Sequence, residues 1–569
     1  MIQARIDQSS DLIRVSFPYN QDYIQRIKAI PYRRYDPETR TWLIPKPQWR
    51  RFLRMFRDVP VLIPYEQEEE FCILEEPERI PSISRIRGFR GRLYPFQQRG
   101  VGFLITRKRC LLADELGLGK TVQSIAASLE LRNRGLAKRV LIFCPKTLIR
   151  QWITEIRKFT MDEPVPIAGT MQQRRAAYSI CRDARRFFVV TNYATILREA
   201  EELAKLNPDI TILDEVTRIK NFRAKTTRMI KKYFRTPYRW ALSGTPLENR
   251  LEELYSIMEW VDPTILEPWR TFSSKYIITR ERVIGERRFK EVIGYRNLVE
   301  LRDHLRGWML RRRKRDVLPD LPDVTVNTHY VQLTAEEKRA YSIIRRHVWS
   351  LYRERGRSSA VLARLVYMRE CCDHTVLVED VLEELGFEPP RIDESSKLKE
   401  LLLILDDLTR TDDGRKIVVY SEWVSMLNLI ADAAPHCGVE ILHGRLPTGE
   451  REAVIRTFKE DPECRVLLCS DVAEQGLNLQ AADILINYEL HWNPARLQQR
   501  IGRLHRIGQK NTVTCINLVA EDTIEERVLR VLREKTGLFR RVIDGDFSSP
   551  AYENLIWQIL EEEFGGRPR

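Results

Sequence analysis

The sequence predicts an α/β protein made of two lobes with parallel sheets, joined by helical insertions and preceded by a small α+β domain. A glycine-rich loop at residues 114–121 follows one apolar strand-like run and opens an amphipathic segment. A second apolar run, residues 210–213, ends in Asp214-Glu215. Further strand-like runs follow at residues 416–420, 465–469 and 483–487. Apolar runs that alternate with helical segments are typical of parallel sheets, and the two groups of runs predict two lobes.

The glycine-rich loop has the residues that hold a nucleoside triphosphate. Its glycines let backbone N–H groups turn toward phosphate oxygens, Lys120 supplies a charge to the β/γ phosphates, and Thr121 can offer its hydroxyl to Mg²⁺. The strand-end carboxylates complete the pattern, because Asp214 can hold Mg²⁺ and Glu215 can polarise the attacking water. The predicted cofactors are ATP and Mg²⁺, and the predicted activity is that of a nucleoside triphosphatase.

Two arginines mark the second lobe. The segment 499–509 places Arg503 and Arg506 three residues apart, on one face if the segment is helical. Arginine clusters are more often solvated or bound to nucleic acid than catalytic. Together with a remote phosphate loop, however, they indicate arginine fingers that reach the γ-phosphate from another lobe, and closure of the lobes would then be coupled to ATP.

The motifs, in this order, resemble the SWI2/SNF2 family of superfamily 2 helicases from about residue 90 to 545. Leu112-Ala113 and the loop after it are similar to that family's first ATPase motif almost letter for letter. The other similar segments lie at residues 93–97, 143–146, 191–193, 214–221, 243–246, 420–423, 470–479 and 499–509. The resemblance implies two RecA-like lobes, with ATP in the cleft and DNA bound across both lobes on another face.

The resemblance also implies roles for individual residues. The expected ATP-binding residues are Gln97, Asp114, Glu115, Leu116, Gly117, Leu118, Gly119, Lys120, Thr121 and Gly476. The expected coupling residues are Thr217, Ser243, Thr245 and Gln499. The expected DNA contacts in the motor are Lys146, Thr191, Asn192, Ser421, Trp423, His443 and Ser470.

Two departures from the family pattern stand out. Thr217 occupies the position where the family usually has histidine, which bears on coupling between the ATP site and residues 243–246. Residues 474–476 read Glu-Gln-Gly where eukaryotic remodellers tend to have two adjacent glycines. This reading, with residues 493–497, resembles the bacterial and archaeal branch of the family that includes RapA, an ATPase that recycles RNA polymerase.

The first 66 residues form a separate basic module, with 12 Lys or Arg against 7 Asp or Glu. Residues 33–44 combine a turn with extended runs and predict a hairpin that carries Tyr35 and Trp42. These rings either stack on bases or fill a small core, and the two readings have about equal weight. The stretch resembles the HARP domain of annealing helicases, which implies recognition of branched or partly single-stranded DNA.

Composition and charge suit a nucleic-acid motor, with a net charge of +15 and an isoelectric point near 9.3. The predicted domains are 1–66 (HARP-like), 67–85 (acidic linker), 86–262 (lobe 1), 263–395 (helical insertions and crossover, without strand-like runs), 396–545 (lobe 2) and 546–569 (tail). The basic run 311–315 matches the family's crossover, where arginines meet duplex DNA or the other lobe. The scattered cysteines predict no structural zinc.

Three functions follow from these observations. The first is a double-stranded DNA translocase that remodels branched DNA or protein–DNA complexes; the second is a RapA-like ATPase that acts on RNA polymerase; the third is a DNA-binding scaffold with a decayed motor. The sequence shows no obvious strand-splitting hairpin. No run of 18 apolar residues appears, so we expect no membrane partner and a protein that is cytoplasmic and nucleoid-associated if prokaryotic, or nuclear if eukaryotic.

Overall fold

The computed structural model describes residues 2–6, 12–56, 59, 61–62, 80–183, 185–244, 251–284, 287–355, 359–390, 392–410, 414–470, 477–492 and 494–539. The described residues divide into two compact units. One falls within Met1–Pro81, Glu267–Trp308 and Thr536–Ala551, and the other within Ser82–Leu266, Met309–Lys535 and Tyr552–Arg569. The predicted linker beyond residues 80–85 and the predicted tail lie outside the described residues.

The N-terminal part of the first unit is a five-stranded mixed sheet with two helices. The strands lie in the order β3-β4-β2-β1-β5. Their bounds are β1 Ile2–Ile6, β2 Leu12–Ser16, β3 Arg34–Asp36, β4 Thr41–Pro45 and β5 Val61–Leu62, and the helices are Gln21–Lys28 and Trp49–Met55. Alternate residues of β2 are buried, so one face of the sheet packs on a core that includes Trp49, Phe52 and Phe56. The predicted hairpin at residues 33–44 is the antiparallel pair of β3 and β4.

Lobe 1 is a seven-stranded parallel sheet in the second unit. Its strands are β6 Arg109–Leu112, β7 Val140–Cys144, β8 Val165–Ile167, β9 Phe188–Asn192, β10 Ile210–Asp214, β11 Tyr238–Leu242 and β14 Met309–Leu310. The order is β14-β6-β11-β10-β7-β9-β8. The helices are Pro95–Arg107, Lys120–Asn133, Ile149–Phe159, Met171–Cys181, Ile196–Lys205, Lys225–Tyr233 and Leu251–Val261. The central strands are buried along their whole length, as expected for a sheet covered on both faces.

Strand β14 comes from the crossover segment between the lobes and forms one edge of this sheet. It pairs with β6, and two backbone hydrogen bonds continue the pairing past the strand ends: Ala113 N–H donates to the Leu310 carbonyl (2.8 Å) and Glu115 N–H to the Arg312 carbonyl (3.0 Å). The crossover therefore runs alongside the start of the glycine-rich loop.

The expectation that residues 263–395 lack strands is wrong. The first unit contains the antiparallel hairpin of β12 Ile277–Ile284 and β13 Arg287–Tyr295, between helices Trp269–Tyr276 and Leu298–Arg306. Buried Phe272 and Tyr276 lie beside the start of β12, and Lys275 pairs with Glu267 and Glu300. The hairpin was missed because its alternation is carried mainly by charged residues, which a search for apolar runs does not detect.

Lobe 2 is a six-stranded parallel sheet in the order β15-β20-β19-β16-β18-β17. Its strands are β15 Val324–Val331, β16 Ile417–Tyr420, β17 Val439–Leu442, β18 Val466–Cys469, β19 Ile484–Asn487 and β20 Val513–Ala520. The helices from the crossover onward are Lys314–Val317, Ala335–Arg355, Ser359–Asp373, Glu379–Glu384, Ser396–Arg410, Val424–Ala433, Thr448–Glu460, Pro494–Leu504 and Ile524–Phe539. Strand β15 also lies in the region expected to be helical, and its mostly exposed or half-buried residues explain why no apolar run marks it. Among the described helices, none has the length and apolar character that a membrane span requires.

A buried ion cluster joins three helices of lobe 2. Lys397 Nζ contacts Asp373 Oδ1 (2.8 Å) and Glu525 Oε1 (2.6 Å), and these three side chains are almost completely buried. Trp423 Nε1 donates to the other Asp373 oxygen (2.9 Å). The adjacent Cys372 is a buried free thiol.

We predict that Lys397→Met destabilises lobe 2 by about 3–5 kcal/mol, because it leaves two buried carboxylates without their cation. The measurement is the urea-denaturation midpoint, followed by tryptophan fluorescence. Lys399→Met, an exposed lysine on the same helix, is the matched control. Equal midpoints for the two variants would show that the cluster does not stabilise the lobe.

Candidate active site

The glycine-rich loop forms a turn around the Lys120 ammonium. Gly117 and Gly119 have φ values of 89° and 74°, which a residue with a side chain rarely adopts. Lys120 Nζ donates to the carbonyls of Asp114 (2.7 Å) and Glu115 (3.3 Å). Burial lowers the pKa of Lys120 to about 8, although the Glu215 and Asp114 carboxylates oppose the change. The loop therefore holds a half-buried cation at the start of a helix, where an anion would also meet the helix N-terminus.

The carboxylates after β10 face the same site. Asp214 Oδ2 accepts from Trp152 Nε1 (2.8 Å), and Oδ1 accepts from Glu215 N–H (3.0 Å). Burial, with the neighbouring Glu215 charge, raises the pKa of Asp214 to about 6. Glu215 has a left-handed backbone with φ of 49°, an uncommon conformation that is found more often at functional sites.

The oxygen donors present fit a magnesium ion. Mg²⁺ prefers carboxylate and hydroxyl oxygens, which Asp214 and Thr121 supply. Each carboxylate oxygen of Asp214 accepts one hydrogen bond, from Trp152 or from the Glu215 N–H. Each oxygen therefore keeps a lone pair for a metal ion or for a water bound to it. These two residues would hold the ion.

The predicted arginine fingers lie at and just after the end of helix Pro494–Leu504, and Arg506 packs on the loop. Arg503 is 6% exposed, and its Nε has no hydrogen-bond partner among the described residues. Arg506 is half-buried, and a Cβ added at Gly117 would lie 3.1 Å from Arg506 Cγ. Desolvation and the nearby Arg503 lower the pKa of Arg506 to about 9. Two neighbouring, poorly solvated guanidinium groups are an arrangement that an anion would stabilise.

The loop's leucine fills space between two other motifs. A Cβ added at Gly244 would lie 2.5 Å from Leu116 Cδ2, and one added at Gly502 would lie 3.0 Å from Leu116 Cβ. Leu116 therefore packs against both lobes. Its expected role in ATP binding stays a prediction, which a backbone N–H of the loop could fulfil while the side chain packs in this way.

The Asp114 side chain fixes the start of the loop through hydrogen bonds. Its fully buried carboxylate accepts from Arg312 Nε (2.9 Å) and from Gln123 Nε2 (3.1 Å). Arg311 donates to the carbonyls of Ala113 (2.7 Å) and Gly244 (3.1 Å). The Asp114 carboxylate has no exposed surface, and the role of Asp114 in ATP binding stays a prediction.

The crossover arginines were assigned by resemblance to DNA or to the other lobe. In the structure, Arg311 and Arg312 turn onto lobe 1. The sequence had marked both arginines as part of the basic run 311–315, but not their contacts with the loop. Gln123 and Trp152 are site residues that motif matching missed.

Gln97 is also buried against the loop. Its Nε2 donates to the Leu118 carbonyl (3.3 Å), and its Oε1 accepts from Tyr94 N–H (3.0 Å). The glutamine therefore links the start of helix Pro95–Arg107 to the loop. Its role in reading adenine stays a prediction.

The expected coupling residues lie in different surroundings. Ser243 and Gln499 are buried, and Thr217 is half-buried in a short 3₁₀ turn, Val216–Ile219. Thr245 and Gly476 lie outside the described residues. The coupling role of Thr217 stays a prediction.

Three expected DNA contacts are in the interior. Thr191 donates to the Ile167 carbonyl (2.8 Å), Ser421 accepts from Trp423 N–H (3.2 Å), and Ser470 is 3% exposed. These three side chains have almost no accessible surface in this arrangement, and their role as DNA contacts stays a prediction. Trp423 is half-buried and bonded to Asp373.

Other expected contacts keep accessible surface. Lys146 is exposed just after β7, and His443 is half-buried, with its Nδ1 accepting from Arg445 N–H (3.2 Å). Asn192 Oδ1 accepts from the N–H groups of Ala194 (3.0 Å) and Thr195 (3.2 Å), so its side chain shapes the loop after β9.

The aromatics of the N-terminal sheet divide by exposure. Tyr35 is 45% exposed, whereas Trp42 is partly buried against the core, and their ring centroids are 5.0 Å apart. Tyr19 and Tyr32 are 87% and 83% exposed and were not singled out from the sequence. An exposed ring is available for stacking, so Tyr35 fits that role better than Trp42 does.

The chain is similar to known families in three segments. Residues 96–377 match the SNF2-related domain, residues 396–508 the helicase conserved C-terminal domain, and residues 13–63 the HepA-related protein (HARP) family.

Similar individual proteins include two from Bacillus subtilis. YwqA, named as an ATP-dependent helicase/translocase, is 29% identical over 86% of this chain and 53% of its own length. YqhH, an uncharacterised ATP-dependent helicase, is 26% identical over 84% of this chain and 86% of its own length. The chain thus spans about half the length of YwqA. Among solved structures, the Sulfolobus solfataricus SWI2/SNF2 ATPase core in complex with dsDNA is 25% identical, covering 83% of this chain and 96% of that one, with a TM-score of 0.38.

We predict that Arg503→Ala and Arg506→Ala each lower ATP turnover on the order of 10³-fold, with weaker effects on ATP affinity. Steady-state hydrolysis and nucleotide binding measure the two effects separately. Because both groups act in the same closed arrangement, the double variant should be no slower than the worse single variant. A loss of DNA affinity with normal turnover would instead assign the arginines to phosphates of the nucleic acid.

Proposed function

This chain belongs to the SNF2 family, with a HARP match at residues 13–63, and from that membership we propose that it is an ATP-dependent double-stranded DNA translocase. It would remodel DNA structures or protein–DNA complexes. The family prediction made from the motifs is confirmed, whereas the RapA-like branch stays a prediction. The names of relatives such as YwqA and the basic charge of the chain support the proposal.

One observation carries the proposal: Arg506 of lobe 2 packs on Gly117 of the phosphate loop of lobe 1. Lys120, Arg503 and Arg506 thus lie around one loop, although the arginines are almost 400 residues further along the chain. A triphosphate bound there would receive cations from both lobes. This is the arrangement in which hydrolysis depends on lobe closure.

The chemistry then divides among the residues of the site. Lys120 neutralises the β/γ phosphates, and Glu215 orients and polarises the attacking water. Asp214 and Thr121 would hold Mg²⁺, which would supply positive charge to offset the charge of the phosphates. Arg503 and Arg506 stabilise the charge that develops on the transferred phosphoryl group. Asp214 must be ionised to hold the cation, and its bond from Trp152 favours the ionised form.

Movement along DNA would follow from alternating grip by the two lobes. ATP binding closes the lobes around the loop, and hydrolysis releases them. Lys146 and Asn192 on lobe 1 and His443 on lobe 2 are the predicted contacts that retain accessible surface. The exposed Arg150 of lobe 1 and Glu452 of lobe 2 form an ion pair across the lobes, which rearrangement of the lobes would break at little cost.

Two alternatives remain distinct from this proposal. A RapA-like ATPase would bind RNA polymerase tightly and be stimulated by it, so ATPase assays with polymerase or with DNA separate the two. A decayed scaffold would bind DNA without hydrolysis. The presence of Lys120, Glu215, Arg503 and Arg506 around one loop favours an active motor over the scaffold.

We predict that Lys120→Ala and Glu215→Gln each lower DNA-stimulated ATP turnover by about 10²-fold or more, since each removes a charge used at the reacting phosphate. DNA affinity should stay nearly unchanged, and the Glu215 variant should still bind ATP. The measurements are ATPase rates with duplex DNA and binding by fluorescence anisotropy. Wild-type turnover in either variant would refute the site.

We predict ATP-dependent displacement of a triplex-forming strand, which reports translocation, with little separation of plain duplex. Strand separation costs about 1.4 kcal/mol of stacking per base-pair step. The test matters because the structure contains a hairpin, β12–β13, that was not expected from the sequence and that could separate strands. Efficient duplex unwinding that disappears when the hairpin is replaced by a short turn would change the proposal from translocase to helicase.

We predict that removal of residues 1–66 weakens binding to forked DNA while duplex-stimulated ATPase stays largely intact. Tyr35→Ala should lose about 1–3 kcal/mol of fork binding without unfolding the N-terminal sheet. Trp42→Ala should instead destabilise the sheet, because its ring packs on the core. Circular dichroism and fork-binding titrations separate the two effects. Equal fork binding by the full-length and truncated proteins would exclude a DNA-reading role for this module.

A further inference from the structure

Lys314 is a buried lysine to which the catalytic scheme above gives no role. It begins the short helix Lys314–Val317, just after the crossover segment has run along the phosphate loop. Its side chain is 6% exposed. Lysine is rarely buried without a specific partner, so the surroundings of this ammonium define what it does.

On the lobe 1 side, Lys314 is fixed to the phosphate loop. Its backbone N–H donates to Glu115 Oε2 (2.7 Å), and Glu115 N–H donates to the Arg312 carbonyl (3.0 Å). The Glu115 carboxylate also lies 3.9 Å from Lys314 Nζ. The position of Lys314 is therefore tied to the backbone of the loop.

On the lobe 2 side, the Lys314 ammonium holds His505. Nζ donates to the His505 carbonyl (2.6 Å) and lies 3.3 Å from His505 Nδ1. His505 Nε2 bonds to the Pro322 carbonyl (2.8 Å), which can only accept, so Nε2 carries the proton. Nδ1 of a neutral His505 is then an acceptor for the ammonium, in agreement with the lowered pKa of this histidine, caused by burial and by Lys314.

The His505 carbonyl, which accepts from Lys314, packs directly against the phosphate loop. A Cβ added at Gly117 would be 3.2 Å from the His505 oxygen and 3.1 Å from Arg506 Cγ. His505 directly precedes Arg506. The residue that positions the His505 carbonyl therefore also positions the start of the Arg506 side chain.

The burial of Lys314 has an electrostatic cost. Desolvation lowers the pKa of Lys314 to about 8, and the cations Arg506, Lys120 and Arg311 contribute in the same direction, while Glu115 opposes them. A lysine that served only to fill space would be replaced without penalty by an apolar side chain of similar length. The contacts of the Lys314 ammonium with His505 and with Glu115 of the loop give a reason for a charged side chain at this position.

We propose that Lys314 is a positioning residue, which holds the His505–Arg506 turn of lobe 2 against the phosphate loop of lobe 1 so that the arginine fingers meet the γ-phosphate. The inference rests on the proposed ATPase function. Lys314 itself touches no phosphate in this scheme. Lys314 acts by positioning Arg506. Because Lys314 is itself fixed to the loop, the position of Arg506 in lobe 2 depends on the conformation of the loop in lobe 1.

The test compares Lys314→Met, Lys314→Arg and the control Lys338→Met, an exposed lysine on helix Ala335–Arg355. Lys314→Met should lower the ATPase kcat with duplex DNA by about 10- to 100-fold, the range for loss of a charged hydrogen bond, with little change in ATP affinity. Lys314→Arg should recover part of the rate, since arginine can still donate to the His505 carbonyl. Lys338→Met should behave as wild type, and thermal melting checks that all variants are folded.

A double-variant cycle separates positioning from a general effect on stability. If Lys314 acts through Arg506, adding Lys314→Met to Arg506→Ala should cause no further loss of kcat. Two losses that multiply, or a normal kcat in Lys314→Met, would overturn the inference. If Arg506→Ala itself turns over ATP normally, the arginine-finger assignment fails, and the inference about Lys314 fails with it. A slow Arg506→Ala beside a normal Lys314→Met leaves the proposed function standing and removes only this inference.

Discussion

The ion pair between Arg312 and Asp114 is the constraint on which the site depends. Asp114 is the first residue of the phosphate loop and Arg312 belongs to the crossover segment, so the pair fixes the loop to a chain segment that continues into lobe 2. Both side chains are largely buried, and Gln123 bonds to both of them. A buried pair of this kind contributes little net stability, but it strongly disfavours arrangements in which one partner is lost. The conformation of the loop and the path of the crossover segment therefore depend on each other.

The electrostatics of the site follow from that geometry. Lys120 and Arg506 are half-buried at the loop, with pKa values lowered to about 8 and about 9 mainly by desolvation. Asp214, on the same edge of the sheet, has a raised pKa of about 6. Charges of both signs are therefore held in a poorly solvated space where each is less stable than in water. A magnesium-bound triphosphate would supply partners to both sets, which is a physical reason for tight coupling between nucleotide binding and the arrangement of the lobes.

The sequence predicted the parts of the fold that have strong apolar runs and failed where they are absent. The lobe sheets were predicted from β6, β10, β16, β18 and β19, whose residues are nearly all buried. The hairpin β12–β13 and strand β15 were missed, because their residues are largely charged or polar.

In the site, motif matching found Lys120 and Asp214 but not Trp152, and it placed Lys314 in the crossover without showing its contacts. Trp152 and Lys314 act through contacts between segments that are far apart in the chain, and no local pattern carries that information. The same limit applies to Thr191 and Ser421, where a motif position does not reveal that the side chain is buried.

The packing of Leu116 between Gly244 and Gly502 limits which substitutions this chain can accept. Its side chain occupies space that Gly244 and Gly502 leave free, so three motifs in two lobes share one small volume. An enlargement at any of the three positions is tolerated only if another becomes smaller. The lobes are therefore not interchangeable parts: a chimera that takes its second lobe from a relative inherits the steric requirement at residue 502 along with it. A larger side chain at residue 502 of lobe 2 would therefore also disturb the packing of Leu116 in lobe 1.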